Sequence, residues 1–285
     1  MKLIESKVEI IEQQPGLEGV YKQIELAGRT CYKSEDKITE DSAKGFVDRM
    51  IKSKHGAMLE HGTVYLKITY PLSDALSKAE FDDWFDGHRF DYMLGYALRN
   101  NKYTKTRTVE DDTHGTLYIT TNMRVLCTNT FNSLPWSNYI CEPTEHHEKR
   151  ITARFTCDRG VSHEIVRHRV MSFAQESQRY VGYDKEKFGG EVTFIKPHWY
   201  NEEFPACLTW IESLKRSERE YLDLREMGLK PQDARDVLPN ATKTEVVVTG
   251  FESDWEHFFS LRSPKYGAQG PHPDMAKLAD ELYEK

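Results

Sequence analysis

Residues 151–169 read ITARFTCDRGVSHEIVRHR, and the fold class turns on the change of period inside that stretch. Ile151, Ala153, Phe155 and Cys157 alternate with Thr152, Arg154 and Thr156, the two-residue period of a strand with one face on a core. Asp158-Arg159-Gly160 then predicts a turn, and a short helix carries His163 to Arg169. Val64, Leu66 and Ile68 alternate in the same way with Tyr65, Lys67 and Thr69, and KVEII (7–11) and LYITT (117–121) read as further strands. TEVVVT (244–249) fits a β segment, although a buried helix shares its pattern. Helices are predicted from Thr39, as N-cap, to about Ser53, near 74–98, and from Pro205 to Met227, where Gly228 ends the run. Another spans PQDARDVL, with Pro231 at its first position and Pro239 beyond its end. Together these patterns define an α+β fold, a mostly antiparallel sheet packed with helices.

The 285 residues suit a single domain, 1–285, in which 71–150 changes character and reads as an insertion or subdomain rich in Asp, Asn, Thr and aromatics. No apolar run approaches the roughly 18 residues that a membrane span needs. The N-terminal MKLIESKVEIIEQQPG lacks the basic-then-apolar order of a secretory signal. The five cysteines are scattered and form no C-x-x-C pair, which argues against a disulfide framework and a structural zinc site and for a reducing, cytoplasmic setting. The net charge of −7 is not that of a general nucleic-acid binder, so neither nucleic acid nor membrane is expected as a partner.

Within this acidic chain, Arg167 to Tyr180 (RHRVMSFAQESQRY) is a positive island with Glu176 as its single acid. Arginine forks match phosphate and carboxylate oxygens bidentately, and Ser172, Gln175 and Ser177 add neutral groups, so the stretch suits a small polyanion such as a nucleotide. Further on, Ser253-Asp254-Trp255-Glu256 reads as a capping box. The helix it starts places Trp255, Phe258, Phe259 and Arg262 on one face, and Arg262 there either snorkels to solvent or points into a site.

R-H-R followed after seven residues by S-x-R-Y resembles the signature of the flavin-dependent thymidylate synthases. Four more blocks agree in order: Arg29-Thr30-Cys31-Tyr32; His55 to His61; Arg235-Asp236-Val237-Leu238-Pro239; and Phe258-Phe259-Ser260-Leu261-Arg262 with Ala268-Gln269. The resemblance covers roughly 20–70 and 151–275. It implies that family's fold and the reductive methylation of dUMP to dTMP. The carbon would come from methylenetetrahydrofolate and the hydride from FAD reduced by NADPH. It also implies a homotetramer with shared active sites.

Carried over position by position, the resemblance puts Arg167, His168 and Arg169 on FAD, Arg167 also on dUMP, and His55 and Ala57 near the flavin. It puts Gln175, Glu176, Ser177, Gln178 and Arg179 around dUMP, with Ser177 and Arg179 at its phosphate and Gln175 also reaching the cofactor. Arg235 would bind dUMP from a neighbouring subunit, and Glu164 would accept from a ribose hydroxyl. Arg262 would activate the uracil by stabilising charge on N3 and O4. Phe251, Ser253 and His257 stand where other members have an Asn-x-Arg…Asn pattern on the FAD adenosine half; the departure invites stacking on adenine by His257 and Phe251.

Plainer readings stand beside these. The basic cluster could pair with surface carboxylates, Ser177 could bond its own backbone, and Glu164 could pair with Arg167 at i, i+3. Arg262 could simply complement a helix dipole. His55 and His61 have zinc-like company in Glu60, but the resemblance puts His55 near FAD, and His146-His147 has no third ligand at helical spacing, so metal binding is not expected. A cofactor-free synthase would need an activated cysteine in a Pro-Cys-His context, and no cysteine has one. The competing function is a non-catalytic nucleotide sensor built from the same arginines.

Overall fold

The computed structural model describes residues 1–72, 77–128, 136–185 and 189–285, with the side chain of Phe81 outside the description. Along the chain run β1 (Lys2–Ile4), β2 (Lys7–Ile11), α1 (Gly16–Tyr32), α2 (Ser42–Lys52), α3 (Gly56–Leu59) and β3 (Thr63–Pro71). Next come α4 (Lys78–Gly87), α5 (Arg89–Arg99), β4 (Lys105–Glu110), β5 (His114–Asn122) and α6 (Met123–Cys127). The remainder is β6 (Arg150–Asp158), α7 (Arg159–Ile165), β7 (Ser172–Gln175), β8 (Thr193–Ile195), α8 (Pro205–Glu226), α9 (Pro231–Ala234), β9 (Lys243–Phe251), α10 (Glu252–Arg262) and α11 (Pro273–Tyr283). This is the expected α+β class: helices with antiparallel sheets, to which β1 and β8 add one short parallel pair.

The chain divides into two compact units. The first gathers residues 1–11, 27–38 and 152–285. Its sheet has the order β2-β6-β9-β7, antiparallel in the β2–β6 and β7–β9 pairs. Ala153, Phe155 and Cys157 of β6 are buried as their alternation requires. Phe155 meets Trp255 and Phe258 of α10 at ring distances of 6.3 and 6.1 Å, and this aromatic cluster seats α10 on the sheet.

The second unit gathers 12–26 and 39–151, so the segment 71–150 lies wholly inside it. Its sheet is β3-β5-β4, antiparallel throughout, and Val64, Leu66 and Ile68 are buried with Leu117 and Ile119 of β5. Among the described residues no helix is long and apolar enough to cross a membrane. The five cysteines are free thiols.

Several boundaries differ from expectation for local reasons. Asp41, not Thr39, precedes α2, and Ser42 Oγ donates to the Thr39 carbonyl instead. The helix expected near 74–98 is two helices broken at His88, whose φ/ψ of −118°/21° is not helical; positions 74–76 lie outside the described residues. Met227 is the cap beyond α8, and Gly228 takes the expected left-handed turn at φ +93°. After Pro231 the α-helix lasts only to Ala234 and tightens into a 3-10 turn at Arg235–Val237. β9 resolves the open reading of 244–249 and runs on to Phe251, which leaves no room for a Ser253 cap. The Asp254 carboxylate accepts from the Phe251 N–H at 3.0 Å in its place.

Phe155 is fully buried between the sheet and α10. Phe155→Ala is expected to cost about 3–5 kcal/mol, read as a lower urea midpoint with an unchanged slope.

Candidate functional site

The site is built from the two helices, α7 and α10, that follow β6 and β9 directly in the first unit. Asp158 caps α7 through Oδ1, which accepts from the Val161 N–H at 2.8 Å. The helix ends at Ile165, so Arg167-His168-Arg169 is not helical, contrary to the sequence reading. In the turns that follow the helix, Arg167 and Arg169 are exposed and His168 points inward, 7% exposed.

His168 meets Arg262, the last residue of α10. Arg262 Nε donates to His168 Nε2 at 3.1 Å, and Arg262 Nη1 pairs with Glu164 Oε2. Glu164 therefore bridges to a residue 98 positions away and not to Arg167 at i, i+3. An imidazole that accepts through Nε2 is neutral and carries its proton on Nδ1. Burial, reinforced by the charges of Arg262, His257 and Arg167, pushes the His168 pKa down to about 4. Phe258 supports the ring edge-on at 4.9 Å.

A second group lies on β7 and β9. Gln175 Nε2 donates to Ser162 Oγ at 2.8 Å and to Thr244 Oγ1 at 3.3 Å. Arg159 Nη1 donates to the Glu176 carbonyl and to Thr244 Oγ1, both at 3.3 Å, and has no carboxylate partner among the described residues. Burial and the charge of half-buried Arg235 both lower its pKa. Ser177 Oγ accepts from the Arg179 N–H at 3.3 Å, the Ser177 N–H donates to the Cys31 carbonyl, and exposed Arg179 lies over the Tyr180 ring. Gln178 stands beside the Tyr183 hydroxyl.

Glu176 is 3% exposed, and its carboxylate is held by Lys243 at 2.9 Å and Lys33 at 3.8 Å. The same lysines hold Glu245 at 2.5 and 2.6 Å. Glu176, Lys33 and Lys243 border a cavity of 480 Å³ with Lys2, Glu35, Asp36 and Tyr183. Burial would raise the Glu245 carboxyl, but Lys243 and Lys33 outweigh it and hold the pKa at about 2. Sequence reading missed Arg159, Lys33, Lys243 and Glu245. The available signal was Lys243-x-Glu245, two charges at strand spacing beside an apolar VVV run.

The other expected residues are more scattered. His55 precedes α3 and Ala57 lies within it, both in the second unit. Phe251 is buried in the first unit, whereas Ser253 and His257 are exposed on α10. Among the described residues no group of three or more His, Cys, Asp or Glu is placed to hold a metal. His147 is instead bonded through Nε2 to the Leu66 carbonyl and through Nδ1 to the Thr144 N–H, both at 3.1 Å.

The arginine-rich face carried by this α+β unit is of a kind that suits a polyanionic ligand. Residues 136–285 match the family described as thymidylate synthase complementing protein, and the chain belongs to that family. A flavin-dependent thymidylate synthase of Thermococcus kodakarensis is 38% identical over 107 residues, covering 38% of this chain and 43% of the relative. One of Mycobacterium tuberculosis is 35% identical over 117 residues, covering 38% and 47%. The chain thus spans less than half the length of the curated relatives it matches. A solved structure, a UMP/dUMP methylase PolB from Streptomyces cacaoi bound with 5-Br dUMP, aligns with 100% of this chain and 91% of its own at 16% identity and a TM-score of 0.44. The family expected from the sequence blocks is therefore the one found. The family match starts at 136, so it takes in the blocks from 151 onward and not those within 20–70.

The lowered Glu245 pKa has a defined sign. A carboxyl held below its ordinary 4.5 contributes stability at higher pH and loses it as pH falls from 4.5 toward 2. Urea midpoints of wild type and Glu245→Gln taken at pH 6, 4 and 3 are expected to converge as the pH falls.

Proposed function

We propose that the protein catalyses the reductive methylation of dUMP to dTMP, with methylenetetrahydrofolate as carbon source and FAD reduced by NADPH. The observation that carries this reading is the guanidinium of Arg262. It is fixed by His168 and Glu164 while its Nη2 donors remain unengaged by any described residue. Family membership and the names of the relatives support the same reading.

The residues fit a flavin nucleotide in part. Arg167 and Arg169 are exposed and make no ion pair with a described residue, which suits a pyrophosphate. Exposed Ser253 and His257 are open to an adenosine half, whereas buried Phe251 belongs to the core. His55 and Ala57 stay in the proposed flavin set by resemblance. Bound FAD, once reduced, supplies the hydride.

This chain's own residues bind, orient and polarise. Arg179 and Ser177 hold the dUMP phosphate, and Arg235 contributes to a neighbouring protomer's nucleotide in a homotetramer. Gln175, its amide fixed by Ser162 and Thr244, lines the nucleotide with Gln178. Glu176, the next residue in the chain, is held by Lys243. Arg262 offers N–H donors to the uracil N3/O4 edge. Negative charge developing there is stabilised, and C5 becomes nucleophilic without a protein thiolate. A cytoplasmic location suits the five free thiols.

The test is anaerobic dTMP formation from dUMP, methylenetetrahydrofolate, FAD and NADPH, with each omitted in turn. Product that requires all four is expected; dUMP binding without product would favour the nucleotide sensor. Arg262→Ala should lower kcat by about 10²–10³-fold while the flavin absorbance of the purified protein is retained.

A further inference from the structure

Arginine presents its N–H donors on distinct edges of one plane. Nε of Arg262 is taken by His168 and Nη1 by Glu164, so the guanidinium is pinned from two sides and cannot swing about its stem. The contacts are not those of a surface ion pair. Arg262 is 19% and Glu164 28% exposed, and both partners rise from the α7 segment, capped at the base of β6. The two N–H bonds of Nη2 are left as the free end, and no described residue engages them.

We infer that His168 and Glu164 are the positioning pair of Arg262, His168 acting as a neutral, Nδ1-protonated acceptor and Glu164 as the anionic one, so that Nη2 is the end presented to the nucleotide base. This deepens, and rests on, the functional reading given above. It assigns His168 a role other than flavin contact and Glu164 a role other than ribose contact. The neutral state of His168 is enforced by its surroundings. Arg262 and His257 face it from α10, Arg167 adjoins it in the chain, and Glu164 reaches it only through Arg262. A protonated imidazole there would have no lone pair for Nε and would repel the guanidinium it holds.

Two measurements test the inference. The first uses ¹⁵N-labelled wild-type protein without ligands, with His168→Gln to assign the imidazole. The expected signature is a protonated Nδ1, a bare Nε2 coupled across the hydrogen bond to Arg262 Nε, and no titration near the ordinary histidine value of about 6.5. An Nε2-protonated ring, or titration near that value, overturns the pair.

The second is kinetic. His168→Phe and Glu164→Leu each remove an acceptor, and each should lower kcat by about 10²-fold while the dUMP Kd by equilibrium dialysis stays within about 3-fold. His168→Gln and Glu164→Gln restore an acceptor and should return kcat to within about 10-fold of wild type. Parallel losses in Kd and kcat, or no recovery in either glutamine variant, would show a merely structural role. A wild-type protein that binds dUMP but forms no dTMP would overturn the functional reading, and the spectroscopic result alone would then decide whether the pair exists.

Discussion

No loop separates β9 from α10. Phe251 closes the strand, its side chain buried, and its N–H is taken at once by the Asp254 carboxylate at 3.0 Å. The helix therefore leaves the sheet at a set angle, and Trp255 and Phe258 lock it onto Phe155 of the neighbouring strand. A second junction stands where Asp158 ends β6 and caps α7. The Arg159 N–H donates to the Asn240 and Thr242 carbonyls at 2.8 and 3.1 Å, and the Thr152 and Thr249 hydroxyls pair at 2.8 Å, so β6 and β9 run antiparallel and the two junctions lie at opposite ends of the pair. Arg262 meets His168 and Glu164 because α10 runs back along the sheet from the end of β9 and carries its last residue to the α7 end. Side chains carried on packed elements are placed more finely than loops allow.

The same strand sorts charge. Lys243 and Glu245 leave one face of β9, where they close a network with Lys33 and Glu176. Thr244 leaves the other, where it meets Gln175 and Arg159. Period-two alternation keeps the compensated charges apart from the uncompensated arginines. Glu176 acts on Arg159 through its charge but pairs with Lys243 and Lys33, and Arg159 makes no ion pair with a described carboxylate.

What the sequence made legible follows from the range of each signal. Alternation in 151–157 and 64–68 located β6 and β3, because period two is a local property of one strand on one core. Gly228 located the end of α8, because a left-handed cap is itself local. The error at Ser253 was of another kind. S-x-x-E is a valid cap pattern, yet β9 continued to Phe251 and took the position, and strand extent depends on β6 and β7 pairing alongside. The arginines of 167–179 and Arg262 were readable as a cluster by type and by family likeness. Their partners were not: Glu164 to Arg262 spans 98 residues and Lys33 to Glu245 spans 212, and nothing in one-dimensional spacing encodes contacts of that length.

The RHR triplet shows how one local accident becomes a site. Had α7 continued through it, as its pattern suggested, successive side chains would have fanned around a helix at 100° intervals, with no two of three facing the same way. Because the helix stops at Ile165, the triplet winds through tight turns, the His168 N–H donating to the Ile165 carbonyl at 3.1 Å: the outer arginines stay in water and the histidine alone goes in. A neutral acceptor is what serves there. Lysine or arginine could not accept from Arg262, and a carboxylate would add a second full negative charge to the one Glu164 already supplies. A neutral imidazole fixes the geometry while leaving the guanidinium its charge, so Glu164 is the group that balances it.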